Sequence, residues 1–63
     1  MRITEFWRRM NERFGEAYAS SLAADYRLPM LGMTVNDALA SGIDAKRIWQ
    51  AICGEFEVPA SLR

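Results

Sequence analysis

The 63-residue chain contains no histidine and only one cysteine, Cys53, and these two scarcities exclude several kinds of protein. One cysteine cannot form a disulfide within the chain, and without histidine it cannot build a zinc site. The sequence also has no glycine-rich phosphate loop, no metal-ligand spacing and no carboxylate pair in an evidently buried setting. We therefore expect a protein that is not an enzyme and uses no cofactor, with Cys53 acting as a small apolar side chain.

Excess charge of one sign is absent too, since eight basic residues balance eight acidic ones. Residues 1–33 carry five arginines and four acids, and residues 34–63 carry three basic residues and four acids. Proteins dedicated to nucleic acids usually have a basic excess, so the composition disfavours that class without excluding it. No apolar run approaches the length of a membrane span and no signal peptide is visible, so we expect a cytoplasmic protein.

What the chain does have is apolar residues, which make up 51% of it and predict a folded domain. We treat residues 1–63 as one small helical domain. A chain this short buries only roughly 60% of its unfolded surface, so its stability should depend on good helix packing. A partner or a second copy would also help.

Apolar residues recur at steps of three and four in the first half of the chain, which predicts two amphipathic helices. The first should begin with Thr4 as its N-cap and end near Gly15. The second should cover about residues 16–27, because Pro29 disfavours a helical residue before it. Their apolar stripes contain Ile3, Phe6, Trp7, Met10 and Phe14 in the first helix, and Tyr18, Leu22 and Tyr26 in the second.

The second half of the chain has the pattern of two helices joined by a glycine turn. Thr34 and Asp37 resemble a capping box, and Gly42 suits the left-handed residue after a helix. Asp44 should then cap the fourth helix, which ends before Val58-Pro59. This spacing is typical of a helix-turn-helix, a unit that either places a helix in a DNA groove or simply packs two helices together.

The sequence therefore predicts an all-α protein, a compact three- to four-helix bundle with a helix-turn-helix-like C-terminal half. The apolar face of the fourth helix contains Ala45, Ile48, Trp49, Ile52, Cys53 and Phe56. The predicted core draws on Phe6, Trp7, Met10, Phe14, Tyr18, Leu22, Leu39, Ile48, Ile52 and Phe56.

The connector 28–33 is unusual, because four of its six residues are large and apolar whereas loops are usually polar. Its side chains either lie across the core and close it or form a methionine-containing patch for a protein partner. We favour the first interpretation, since a small domain needs every apolar side chain it has.

DNA binding makes a specific demand on the fourth helix. Gln50 suits adenine, and Lys46 with Arg47 suits guanine or phosphate. The segment from residue 44 onward carries more acids than bases, however, which opposes an approach to phosphates. The residues that this hypothesis places outward are Asp44, Ala45, Lys46, Trp49, Gln50 and Cys53. In the alternative, Trp49 is half buried against the first helix.

We therefore predict a non-enzymatic binding module of unknown biochemical role, for protein–protein interaction in preference to DNA binding. The partner would be another protein or a second copy, and nucleic acid is disfavoured by the zero net charge. The partner-binding candidates are Met30, Leu31, Met33 and Trp49. The candidates for the alternative, a helix-turn-helix DNA-binding or transcription-associated protein, are Lys46, Arg47 and Gln50.

One set of residues, spread nearly from end to end of the chain, points to a known family. The set is the opening Met1–Trp7, Phe14-Gly15 followed by Ala17-Tyr18-Ala19, Thr34-Val35, Ala38-Leu39, Gly42, Asp44–Arg47, Trp49, Cys53 and the closing Val58–Arg63. In these residues the chain resembles a family of very small actinobacterial proteins catalogued as domain of unknown function 3046. The resemblance implies a bacterial, cytoplasmic protein that is complete at this length, and it brings no activity, ligand or catalytic residue.

Overall fold

Four helices form most of the molecule, and a short β-hairpin joins the second helix to the third. The computed structural model describes all residues from 1 to 63. The elements are α1 (Ile3–Phe14), α2 (Glu16–Asp25), β1 (Arg27–Leu28), β2 (Met33–Thr34), α3 (Val35–Ala40), α4 (Ala45–Glu55) and a C-terminal 3₁₀ turn (Ala60–Leu62). A mostly helical fold is confirmed, and of the predicted three to four helices the structure has four. It is not strictly all-α, because the residues at the two ends of the connector belong to a pair of short strands. None of the helices is long and apolar enough to span a membrane.

Helix α1 begins two residues earlier than the sequence pattern predicts. Arg2 is the N-cap residue, and its carbonyl accepts the first helical hydrogen bond from the amide of Phe6 at 3.0 Å. Thr4 already lies inside the helix, so its assignment as the N-cap is wrong. Within α1, Glu5 forms an ion pair with Arg9 one turn later, with 2.7 Å between Arg9 Nε and Glu5 Oε2.

Gly15 both ends α1 and starts α2. Its φ of +86° is a conformation that glycine adopts without strain from a Cβ, and its amide donates to the carbonyl of Asn11 at 2.8 Å. Its own carbonyl accepts from the amide of Ala19 at 2.8 Å, which is the first helical bond of α2. Helix α2 then ends at Asp25 rather than at residue 27, because Tyr26 is already extended and Arg27 and Leu28 pair with the second strand.

The hairpin is antiparallel, with Leu28 opposite Met33 and Arg27 opposite Thr34. The carbonyl of Leu28 accepts from the amides of Leu31 and Gly32 at 3.1 and 2.7 Å, which closes the turn between the strands. Leu28 is buried in the core, and Leu31 and Met33 pack against it. These three side chains therefore lie across the core and close it, as the favoured interpretation of the connector predicts.

Local hydrogen bonds fix both ends of α3. Thr34 Oγ1 accepts from the amide of Asp37 at 3.1 Å, as predicted. At the other end of α3, the amide of Gly42 donates to the carbonyl of Leu39, and the amide of Ile43 donates to the carbonyl of Ala38, both at 3.1 Å. This pair of bonds is a Schellman motif, and the φ of +84° at Gly42 supplies the left-handed residue that it requires. Asp44 is the N-cap residue of α4, although its side chain makes no capping bond.

The core lies between the helices, the buried strand residue and the C-terminal segment. Five predicted core residues are buried, namely Phe6, Met10, Leu22, Ile48 and Ile52. Four more are partly buried, namely Trp7, Phe14, Leu39 and Phe56. The remaining buried residues are Ala19, Ala23, Leu28, Val35, Ala38, Ala45, Trp49, Ala51, Val58 and Leu62.

The prediction that Tyr18 belongs to the core is wrong, because 55% of this residue is exposed. Helix α2 turns Ala19 and Ala23 inward, and small residues at these positions allow neighbouring helices to approach closely. The ring of Tyr18 lies outside that of Phe14, with 5.8 Å between the ring centroids.

The C-terminal segment is part of the fold rather than a loose tail. Val58 and Leu62 are buried, and the indole Nε1 of Trp49 donates to the carbonyl of Leu62 at 2.8 Å. Two arginines of α1 add further hydrogen bonds to the main chain of this segment. Arg13 Nε donates to the main-chain carbonyl of Glu57 at 2.5 Å, and Arg9 donates to the carbonyls of the last two residues.

Candidate functional site

The outer side of α4 and the tip of the hairpin form one continuous surface, which we call the α4–hairpin face. It consists of Pro29, Met30, Lys46, Arg47, Gln50 and Gly54, all of them exposed. A Cβ placed on Gly54 would lie 3.2 Å from Met30 Cε, so the methionine side chain reaches over the glycine. Beside this contact lies a groove of 340 Å³, lined by Pro29, Met30, Ala51, Gly54 and Glu55.

Met30 differs from the other two connector candidates. It is 68% exposed, the highest value among the large apolar residues. Leu31 and Met33 pack against the core instead, so only part of each remains on the surface. The structure thus brings Met30 together with the candidates on α4 and assigns much of Leu31 and Met33 to the fold.

Trp49 does not contribute to the α4–hairpin face, because only 2% of it is exposed. Its ring packs edge-on against Phe6, with 6.0 Å between the centroids, and its single donor is satisfied by Leu62. The proposal that Trp49 points into a DNA groove or toward a partner is therefore wrong. Packing against the first helix is confirmed, and the burial is more complete than half.

Cys53 also lies on the inner side of α4 and is partly buried. Burial raises the pKa of its thiol, although the positive charges of Arg63 and Arg9 act in the opposite direction. A raised pKa keeps the sulfur in its less reactive thiol form. The side chain therefore behaves as part of the apolar packing.

The charges of the α4–hairpin face are divided along α4. Lys46 and Arg47 lie in its first turn and have no ion pair, since all three ion pairs of the molecule are made within α1. Glu55 lies at the other end and accepts a hydrogen bond from the hydroxyl of Tyr26. This bond raises the pKa of Tyr26. The face therefore has unpaired positive charge at one end and an apolar groove near the other.

A second surface was missed by sequence reasoning. Tyr18, Ser21 and Asp25 lie along the outside of α2, which we call the α2 face, and a shallow groove of 210 Å³ runs beside them. The signal was present, because Ser21 and Asp25 continue the helical stripe of Tyr18. The sequence prediction assigns Tyr18 to the core instead, since aromatic residues at helical spacing usually belong there.

The largest groove lies between α1 and the C-terminal segment and has a volume of 580 Å³. Its charges are balanced, with Arg13 and Arg63 against Glu12 and Glu57. Both arginine Nε atoms are already bonded to backbone carbonyls, and Glu12 is paired with Arg8. Elsewhere, no group of three Asp, Glu or Cys side chains comes together to hold a metal ion.

The fold and surfaces together describe a small, mostly helical protein with an apolar, partly cationic face. The family model described as "Protein of unknown function (DUF3046)" matches residues 1–61, so the chain belongs to this family. No curated protein and no solved structure matches the chain.

Proposed function

We propose that this protein is a non-enzymatic interaction module that binds another protein through its α4–hairpin face. The observation that carries the proposal is the position of Met30, which is 68% exposed and lies over Gly54 beside a groove. Flexible methionine side chains are common at surfaces that bind proteins. Fully burying a methionine side chain contributes about 1.5–3 kcal/mol of free energy relative to leaving it exposed. Most of Met30 remains exposed in the folded chain, so most of this contribution is available for binding.

The unpaired charges indicate the chemistry of the partner. Lys46 and Arg47 lack a carboxylate in this molecule, so a partner with acidic side chains would complement them and be steered toward them. Arg47 and Gly54 are seven residues apart on α4, which is about 10.5 Å along the axis. We therefore expect a partner helix with an apolar side chain two turns away from an aspartate or glutamate.

Site-specific photo-crosslinking tests this proposal in cells that carry the gene. A photoreactive phenylalanine analogue at Gln50 should give a defined product with another polypeptide, and the same analogue at Asn11 on α1 is the matched control. Adding Met30→Asp should abolish the product, because a charge in the groove would have to be desolvated on binding. Equal products from both positions, or a product that survives Met30→Asp, would contradict the proposal.

DNA binding by the α3–turn–α4 unit is the second candidate. One observation favours it: Lys46, Arg47 and Gln50 are exposed together at the start of α4, and no large apolar side chain of α4 lies among them. These are residue types that read bases and contact phosphates. The acids at Asp44 and Glu55 on either side, together with the zero net charge, weigh against this function.

A nitrogen–proton NMR titration with a mixed-sequence duplex at low salt separates the two candidates. Salt-sensitive shifts confined to residues 44–53 would favour DNA binding, and Arg47→Gln should then reduce them. For a protein-interaction module we expect an unchanged spectrum at excess duplex, since even non-specific DNA binders respond at low ionic strength. We place either activity in the cytoplasm, where a free cysteine such as Cys53 stays reduced.

A further inference from the structure

We propose that the partner bound by the α4–hairpin face is a second copy of this chain, which presents its α2 face. This inference rests on the proposed function and names the partner of the same site. Two observations carry it: the acid of the α2 face is complementary to the unpaired bases of α4, and the exposed Tyr18 lies at the same distance from that acid as the groove beside Gly54 lies from Arg47.

The charge complementarity is clear from the two helices. The α2 face carries one acid, Asp25, and α2 contains no basic residue; Glu16 lies on the opposite side of the helix. The first turn of α4 carries Lys46 and Arg47, and neither has an ion pair within the molecule. The acid of α4, Glu55, lies at the other end of the helix and lines the groove. Neighbouring molecules would therefore meet with attractive charges when the α2 face of one approaches the α4–hairpin face of the other.

The spacing sets a register for the contact. Tyr18 and Asp25 are seven residues apart on α2, as Arg47 and Gly54 are on α4, which is about 10.5 Å in both cases. With the two helices antiparallel, Tyr18 of one copy enters the groove beside Gly54 of the other. Asp25 then meets Arg47 two turns away.

Tyr18 suits the groove in both shape and polarity. It is 55% exposed, so its ring is available for burial in an interface. The groove lining includes both the apolar Met30 and the acidic Glu55. The ring would contact the methionine, and the hydroxyl would reach the polar end of the groove, where it finds an acceptor.

The two faces are different surfaces, so each bound copy leaves one of them free. Association of this kind is head-to-tail rather than a closed two-fold dimer. A contact between two short helices is smaller than the interfaces that hold stable complexes together, so we expect weak association that depends on concentration. Salt should weaken it further, because the two charged side chains are exposed.

Sedimentation velocity on the intact protein at low salt tests the inference. The weight-average sedimentation coefficient should rise with concentration, and NMR shifts on dilution should map to both faces. Asp25→Lys and Arg47→Glu should each remove the concentration dependence, whereas the double variant should restore it by exchanging the two charges. Glu57→Lys makes the same charge change as Asp25→Lys outside both faces and should leave association unchanged.

Far-UV circular dichroism of each variant separates lost association from lost folding. A wild-type protein that stays monomeric up to about millimolar concentration would overturn the inference, as would a double variant that fails to recover. If the monomeric protein still crosslinks from Gln50 to a different polypeptide, only the identity of the partner is wrong. Absence of both self-association and crosslinking would overturn the proposed function as well.

Discussion

The indole of Trp49 donates a hydrogen bond of 2.8 Å to the carbonyl oxygen of Leu62, and both groups are buried. This bond attaches the C-terminal segment to the middle of α4. The same carbonyl also accepts from Arg9, but at the longer distance of 3.4 Å. The last residues of the chain therefore depend on a side chain that lies thirteen positions earlier.

We expect Trp49→Phe to lower the free energy of unfolding by about 1–3 kcal/mol, because it leaves a buried acceptor without its main donor. Urea denaturation measures this change. Trp7→Phe is the matched control, since Trp7 is only partly buried and makes no side-chain hydrogen bond in the molecule. Equal losses for the two variants would show that the bond to Leu62 contributes nothing beyond ring packing.

The same two variants make a spectroscopic prediction. In Trp7→Phe the only remaining indole is that of Trp49, which is 2% exposed. Its fluorescence should be blue-shifted and protected from acrylamide. Trp49→Phe should leave the more accessible emission of Trp7. A red-shifted, readily quenched Trp49 would contradict its place in the core and would make it available to a partner again.

The two threonines that sequence reasoning treated as helix caps should respond differently to substitution. Thr34 Oγ1 accepts from the amide of Asp37, so Thr34→Ala should cost about 1 kcal/mol of stability. Thr4 lies within α1 and caps nothing, so Thr4→Ala should be neutral or slightly stabilising, because alanine has the higher helix propensity. Chemical denaturation measures both, and a larger loss for Thr4→Ala would contradict the observed start of α1.

Features fixed by neighbouring residues were predictable from the sequence. Three such features depend only on the local backbone, and the structure contains all of them: the helix break at Gly15, the cap at Thr34 and the turn at Gly42. The hairpin was not predictable, because strands of two residues carry no periodic pattern. They form only when Leu28 is drawn into the core beside Met33.

The candidate site was predictable only in part. Lys46, Arg47 and Gln50 follow from the polar side of α4, and Met30 follows from the apolar connector. The burial of Trp49 was not predictable, because nothing in the pattern of α4 shows that Leu62 folds back to meet its ring. The exposure of Tyr18 likewise depends on how α2 is rotated against its neighbours, which helical periodicity alone does not determine.

Two glycines of the second half should respond to alanine in opposite directions. Gly42 has a φ of +84°, so Gly42→Ala should cost about 1 kcal/mol or more, because a Cβ is disfavoured in the left-handed region. Gly54 lies within α4 with ordinary helical geometry, and an alanine there meets only the flexible end of Met30. Gly54→Ala should therefore stabilise the protein by up to about 1 kcal/mol.

Thermal unfolding of both variants measures these changes. The Gly54 variant also bears on the proposed site, because its methyl group must displace the methionine and narrow the groove. In this variant the amount of product crosslinked from Gln50 should fall, although the melting temperature should rise. Unchanged crosslinking would show that the groove beside Gly54 is not where the partner binds.

The acid sensitivity of the fold should depend partly on Glu5. Arg8 donates to both of its carboxylate oxygens at 2.9 and 2.8 Å, and Arg9 donates to one of them at 2.7 Å. These bonds lower the pKa of Glu5 from 4.5 to about 2. Because the pKa is lower in the folded protein, the contribution of Glu5 is fully present above about pH 4.5. It is lost as the pH falls toward 2.

Unfolding measured between pH 6 and pH 2 on the wild type and Glu5→Gln checks this dependence. The wild type should be the more stable at pH 6, and the two curves should converge as the pH approaches 2. High salt should reduce the difference, because the three side chains lie at the surface and are screened. Glu57→Gln is the control, since the side chain of Glu57 has no ion pair and its removal should not change the slope. Parallel curves for the wild type and Glu5→Gln would mean that the two arginines do not stabilise the ionised carboxylate in the folded protein.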